Sequence, residues 1–330
     1  MARYRRQTRS VRAARPFPTA GEDKLRAHAA PDTPQTRSPA YLLGFANNDL
    51  LLRDELRSVR LQLEFLKPDL LQEDRGVETT VAVFGSSRIL PPDEAATYLK
   101  DAEELAALNP GDPHIAAQLR TARTIAKKAV YYEEARLLAQ MISATQLPTK
   151  EQQAQSTDTT CEVRPDRRTA VFVVTGGGPG IMEAANRGAH DVGAESIAHN
   201  IVLPFEQRPN KYITPELCFN FHYFALRKLH FMLRSVALVV FPGGFGTLDE
   251  LFEVLTLIQT HKIKPIPVLL FGRQYWERII DFQALVDEGM IMQCDLDIFT
   301  YVETAEEAWR ILEPTLRQAT ATFSHTDEHA

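Results

Sequence analysis

Cysteine is scarce in this chain of 330 residues. Cys161, Cys218 and Cys294 lie far apart and show neither CxxC nor zinc-ligand spacing. That excludes a disulfide framework and a zinc ribbon, and it fits reduced thiols in a cytoplasmic protein. No apolar run approaches the roughly 20 residues that span a bilayer, and no secretory apolar core stands near the start, so no membrane partner is expected. Internal repeats are absent. So is the GxGxxG dinucleotide fingerprint, and no lysine stands in an acid-partnered pyridoxal-phosphate constellation. Positive charge is short as well, with a net charge of −6. What there is concentrates in residues 1–40, where eight Arg and one Lys face Glu22, Asp23 and Asp32, a surplus of +6 that leaves −12 for the remainder. A body that acidic is a poor nucleic-acid binder unless the tail does the binding, and no nucleic-acid partner is expected.

What is present reads as one α/β domain. Hydrophobic content of 44% and charged content of 24% are those of a globular protein. Residues 1–40 have no apolar periodicity and read as a disordered basic tail, with a transit peptide or a basic arm as sharper alternatives. Residues 41–66 carry a broad leucine-rich stripe ended by Pro68. They read as a helical extension, 41–75, of a single domain spanning 41–318, and residues 319–330 read as a disordered tail. Apolar, β-branched runs at 79–85, 169–175, 196–203, 217–221, 236–241, within 265–272 and at 298–302 predict strands. Helical spacing predicts helices at 91–144, 181–188, 222–235, from 248, 275–288 and 304–318. The alternation gives a doubly wound parallel sheet with flanking helices. Residues 145–168 are polar and turn-rich, an exposed loop.

The chain is organised around VALVVFPGGFGTLDELFEVLTLIQT at 236–260. A buried strand enters a turn holding Gly243, Gly244 and Gly246, and a helix follows from Leu248 with apolar residues at 248, 251, 252, 255 and 258. Strand, glycine loop, helix builds a phosphate site, because glycines allow close approach and the first helical N–H groups point at the anion. Asp249 and Glu250 sit just inside that helix, and they either complement its dipole or face another part of the ligand. A second glycine loop, 176–180, enters a helix whose Glu183 complements the dipole. Gly85, Ser86, Ser87 and Arg88 leave the first strand at its carboxyl end, where open α/β sheets bind ligands. On the 222–235 helix, Tyr223, Arg227, His230 and Arg234 share one face. Phe224, Leu229, Phe231 and Met232 share the other.

PGGFGTLDE at 242–250 resembles the PGGxGTxxE signature of the LOG ("lonely guy") family, once labelled lysine decarboxylases. FGSSR at 84–88, GGGPGIMEAANRGA at 176–189, Arg227-Lys228 and LPFEQRPNKYI at 203–213 are similar to further motifs of its longer, bacterial branch. The resemblance covers about 45–310. It implies a modified Rossmann fold, a homodimer or dimer-built hexamer, and hydrolysis of the N-glycosidic bond of a nucleoside 5′-monophosphate with neither metal nor cofactor. In the family this releases cytokinins from their riboside monophosphates. It implies Arg227 and Glu250 as catalytic residues. Gly243, Gly244, Gly246 and Thr247 are implied to hold the phosphate. Gly85, Ser86, Arg88, Gly177, Gly178, Met182, Lys228 and Thr256 are implied as further substrate contacts. Two alternatives stand beside it: a general AMP or GMP nucleosidase, and a non-catalytic nucleotide or cofactor carrier.

Overall fold

The β-branched runs form the strands of a single sheet. The computed structural model describes residues 17–147, 167–204 and 208–324, with side chains through 321. Residues 1–16 of the basic tail, residues 148–166 of the expected 145–168 loop together with Cys161, residues 205–207 and the last six residues lie outside that description. The strands are β1 Thr79–Phe84, β2 Val171–Thr175, β3 Ser196–Ile201, β4 Cys218–Phe221, β5 Ser235–Val240, β6 Val268–Phe271 and β7 Phe299–Val302. They lie in the order β4-β3-β2-β1-β5-β6-β7, and every neighbouring pair is parallel. From β1 the chain winds outward through β2 to β4, then returns beside β1 and winds the other way. The strand order therefore reverses between β1 and β5, where open parallel sheets form a ligand crevice at their carboxyl ends.

The helices in chain order are α1 Ala20–His28, α2 Asn48–Leu51, α3 Arg57–Glu73, α4 Pro92–Leu108, α5 Pro113–Lys128, α6 Val130–Ser143, α7 Ile181–Asp191, α8 Phe224–Leu233, α9 Phe245–Gln259, α10 Arg273–Ile279, α11 Phe282–Asp287 and α12 Ala305–Ser324. The pleat divides the core. Val81, Val83, Val171, Val173, Ala237 and Val239 pack on one layer with α6, α7 and α12. Ala82, Phe84, Phe172, Val174, Leu238 and Val240 pack on the other with α8 and α9. All of β1 and β2 is buried, as a sheet covered on both faces requires.

Residues up to Leu70 and from Leu71 onward form two units. In the first, residues 20–28 are helical where a disordered tail was expected. Thr19 and Glu22 close a capping box, Thr19 N donating to Glu22 Oε2 (2.7 Å) and Glu22 N to Thr19 Oγ1 (3.3 Å). The expected 41–66 helix is broken instead into short turns, α2 and the start of α3. Arg60 explains the break at Arg53, since its guanidinium donates to the carbonyls of Leu51 and Arg53 (2.7 and 2.5 Å) and holds them in a turn. Pro68 does not end α3, which runs on to Glu73. The turn beyond it carries Leu71 into the core and buries Gln72, which outweighs the one hydrogen bond the proline removes.

The helix predicted over 91–144 is three helices, broken around Gly111, where Asp112 caps α5, and at Ala129. The helix predicted over 275–288 is likewise two, with the second capped by the Asp281 carboxylate on Ala284 N (2.9 Å). α7 meets α6 through Gly188, where a Cβ would collide with the Arg136 carbonyl oxygen and lie 2.8 Å from the Ala139 Cβ. Gly188→Ala is expected to push the helices apart and cost about 1–3 kcal/mol, read as a lowered urea midpoint.

Candidate active site

Two backbone bonds lock the strand exits together across the reversal of strand order. Phe241 N donates to the Phe84 carbonyl (2.8 Å) and Ser86 N to the Pro242 carbonyl (3.0 Å). The Ser86 carbonyl in turn accepts from Ile181 N (3.1 Å) at the start of α7, so three ligand-edge loops are joined at one point. A cavity of about 980 Å³ opens there. It brings together Gly85, Ser86, Arg88, Met182, Arg227, Gly243, Gly244, Gly246, Thr247 and Glu250, ten of the residues singled out from the sequence.

The first glycine loop is shorter than expected, because α9 begins at Phe245 rather than Leu248. Gly246 and Thr247 thus stand in its first turn, where N–H groups are unpaired within the helix. The Thr247 side chain lies against Gly243, and the Tyr275 hydroxyl donates to the Gly243 carbonyl. The shift also changes the reading of the acids. The first turn of α9 holds none, and Asp249 and Glu250 are its fifth and sixth residues. Capping the dipole is a first-turn effect, so it does not account for Glu250.

The buried stripe of α9 is Thr247, Glu250, Leu251, Val254 and Ile258, turned by about a residue from the expected apolar stripe. Glu250 is only 7% exposed, and among the described residues its carboxyl accepts no hydrogen bond and lies in no ion pair. Burial pushes it from its ordinary 4.5 up to about 7; Arg227 and Lys228 pull it down, and Glu253 and Asp249 push it further up. Arg227 is held by its own Nε–H, which donates to the His199 carbonyl of β3 (2.8 Å). Burial lowers its pKa and the charge of Glu250 raises it, so each disfavoured charge supports the other. A Cβ at Gly176 would lie 2.6 Å from Arg227 Nη2 and 2.8 Å from Met182 Sδ, which puts all three at one place in the wall.

Four of the sequence-based candidates are not in that wall. Lys228 is tied to two acids of α9, 2.9 Å from Asp249 and 3.0 Å from Glu253. The Thr256 hydroxyl donates back to the Phe252 carbonyl (2.7 Å). Gly177 and Gly178 turn to the 203–213 loop, where Asn210 Nδ2 donates to both carbonyls (3.3 and 3.1 Å) and to Asn186 Oδ1 (2.9 Å). Asn186 also accepts from the Thr175 hydroxyl, which itself accepts from Gly177 N. The second glycine loop is therefore clamped by a polar network, and only Gly176 and Met182 face the cavity. Glu183 accepts from the Tyr132 hydroxyl (3.2 Å) as well as meeting the start of α7.

The expected faces of α8 also change. His230 is buried, while Phe224 and Leu229 are exposed. The sequence reading missed Arg120, Thr121, Thr124, Lys128 and Tyr275 in the wall, and Asn210 beneath the loop. Polar residues at one helical face, 120, 121, 124 and 128, were the available signal; Asn210 gave none. Among the described residues no group of His, Cys, Asp or Glu is arranged to hold a metal, and no helix is long and apolar enough to cross a membrane.

The model of a family described as possible lysine decarboxylase matches residues 182–312. Cytokinin riboside 5′-monophosphate phosphoribohydrolase LOG3 of Arabidopsis thaliana is 30% identical over 151 residues, 44% of this chain and 68% of the relative. LOG4 of the same plant, named for the same activity, is 31% identical over 151 residues, again 44% and 68%. Among solved structures, the Moco carrier protein from Chlamydomonas reinhardtii is 15% identical, covering 73% of this chain and 99% of that one, with a TM-score of 0.38. That likeness is too slight to bear on the ligand.

The raised carboxyl has a consequence for stability. Between pH 4.5 and 7 the native state binds the Glu250 proton more tightly than the unfolded chain does, so stability falls as pH rises through that window. A carboxyl moved from 4.5 to about 7 is disfavoured in its charged form by about 3 kcal/mol. Glu250→Gln is therefore expected to raise the melting temperature at pH 8 and to leave it nearly unchanged at pH 4.5, as followed by thermal denaturation.

Proposed function

Because the chain belongs to the LOG family, we propose that it hydrolyses the N-glycosidic bond of nucleoside 5′-monophosphates, releasing the free base and ribose 5-phosphate. The observation that carries the reading is the Glu250 carboxyl, buried in the cavity wall with no hydrogen-bond partner among the described residues, beside Arg227 and one turn beyond the glycine loop. A phosphate carrier needs the loop but not that acid.

In this reading the amides of Gly243, Gly244, Gly246 and Thr247 take the phosphate, aided by the positive end of α9. The ribose then extends along α9 toward Glu250. Departure of the base leaves oxocarbenium character on C1′, as in O-glycoside cleavage. A carboxylate in a low-dielectric wall stabilises that charge strongly, because no water screens it. Glu250 also takes a proton from the water whose oxygen bonds to C1′, while the electrons of the broken C1′–N bond leave with the base. Arg227 favours the charged form of Glu250 against the effect of burial, and its Nη groups would meet the ribose hydroxyls. The finer assignment, cytokinin riboside monophosphates as substrates, follows the activity for which the relatives are named. The same reading includes a homo-oligomer, since Phe224, Leu229 and Leu233 on α8 and Phe245 on α9 are apolar and exposed.

Incubation with AMP and, separately, with isopentenyladenosine 5′-monophosphate is expected to release free base and ribose 5-phosphate, and the ratio of kcat/KM values ranks the two bases. Release from neither, with both nucleotides bound, would favour a carrier. Glu250→Gln is expected to bind nucleotide and lose turnover by about a hundredfold or more. Since Glu250 acts ionised, kcat/KM of the wild type is expected to rise with pH through about 7. A rate that instead declines above 7 would make Glu250 a proton donor.

A further inference from the structure

The helix α5 carries residues the reaction above does not use. Arg120, Thr121, Thr124 and Lys128 line the cavity from one helical face, with Lys128 closing the last turn. A lysine at a helix C-terminus ordinarily complements the dipole in solvent, and the neighbouring exposed Lys127 serves for that. Lys128 is turned inward and half-buried. Its Nζ lies 4.5 Å from the centre of the Tyr275 ring, and the Tyr275 hydroxyl donates to the Gly243 carbonyl. One tyrosine therefore joins this ammonium to the glycine loop. Among the described residues Lys128 has no carboxylate partner, and burial together with the positive charge of Arg278 lowers its pKa. A cation out of water, beside a like charge and without a counter-ion, is an unfavourable arrangement unless the ligand supplies the anion.

We propose that Lys128 is a phosphate ligand: it closes the glycine-loop cradle from α5, facing the Gly243–Thr247 amides across the bound phosphate, and makes the site select phosphorylated nucleosides over unphosphorylated ones. This rests on the reading that places the 5′-phosphate on the glycine loop. The amides alone hold an anion through partial charges. A full positive charge matches a phosphate monoester, which is close to doubly ionised at pH 7. The contribution does not depend on bond cleavage, so it is uniform binding and appears in KM rather than kcat.

The test is calorimetric titration of the full-length protein with ribose 5-phosphate and with inorganic phosphate, alongside nucleotide kinetics. Lys128→Met keeps the aliphatic stem over Tyr275 and removes the charge. It is expected to weaken ribose 5-phosphate binding by about tenfold to a hundredfold, the loss of one charge-assisted hydrogen bond. KM should rise in step with kcat nearly unchanged, and Lys128→Arg should bind like the wild type. Wild-type affinity in Lys128→Met overturns the proposal. So does a loss shared by Lys128→Arg and accompanied by a lowered melting temperature, because that is a packing role. Lys128-dependent binding of ribose 5-phosphate by a protein that releases no base would keep the phosphate ligand and remove the hydrolase reading. A wild type that binds neither anion overturns both.

Discussion

The pairing of β1 with β5 is the constraint on which the rest of the molecule depends. Each strand leaves the sheet into a glycine-containing loop, and because the strand order reverses between them, the helices that follow go to opposite faces and leave a crevice. The bonds from Phe241 to Phe84 and from Ser86 to Pro242 extend the pairing one step past the strands, so both loops keep the register of the sheet. The start of α7 is bonded into the same junction through the Ser86 carbonyl. The N-terminus of α9, the Arg88 turn and the second glycine loop are thus joined through backbone bonds, to which Asn210, Asn186 and Thr175 add side-chain ties. Side chains add the chemistry to a frame that is already rigid.

The chemistry in turn breaks a local rule. Position 250 lies on the stripe of α9 that Leu251, Val254 and Ile258 bury against the sheet, where an apolar side chain would be more stable. The acid is held there beside Arg227, whose own guanidinium is pinned to a β3 carbonyl rather than to the acid. The two charges moderate each other without a saturated salt bridge. A carboxylate fully hydrogen-bonded in the resting protein would already have its charge satisfied; one that is not retains its full attraction for a cation forming next to it. Structures that violate a packing rule at one site and obey it elsewhere commonly do so where function lies.

How much of this was legible in the sequence follows from the range of each interaction. The edge strands β4 and β7 are only partly buried and read from shorter apolar runs; the central strands were readable because burial on both faces demands apolar, β-branched runs, and TAVFVVT or VALVVF fits little else. Glycine loops after two of them gave the phosphate cradle. Helix limits were less readable. Phe245 was assigned to a turn because it stands between glycines, and the Pro68 signal was overridden by burial of Leu71 and Gln72 in the following turn. Helix faces failed on α8, since exposure of Phe224 and Leu229 depends on what packs against the helix rather than on its own pattern. The resemblance of the Arg227-Lys228 pair implies Lys228 as a substrate contact, yet adjacent residues on a helix point about 100° apart, and this one meets Asp249 and Glu253 instead. Asn210 and Lys128 reach their partners only through tertiary folding; the polar face at 120, 121, 124 and 128 and the 203–213 motif mark their segments but not these contacts.

The two glycine loops, alike in sequence, divide the work. The loop at 176–180 is filled from below: Asn210, Asn186 and Thr175 take up its backbone groups, so only its first residue and Met182 border the cavity. Among the described residues the loop at 242–246 has one side-chain tie of this kind, from Tyr275, besides the backbone bond from Ser86 to Pro242, and its residues line the cavity. Saturating one loop and leaving the other open is what favours the second of them as the anion site in the proposed function. In the proposed reading a phosphate on the open loop would point its sugar down α9 toward Glu250, with Arg227 and the clamped loop at its side. The clamped loop then forms a wall of the cavity, with Gly176 against Arg227 and Met182. In the proposed reading the half-buried amide of Asn210 holds that wall without lining the cavity itself.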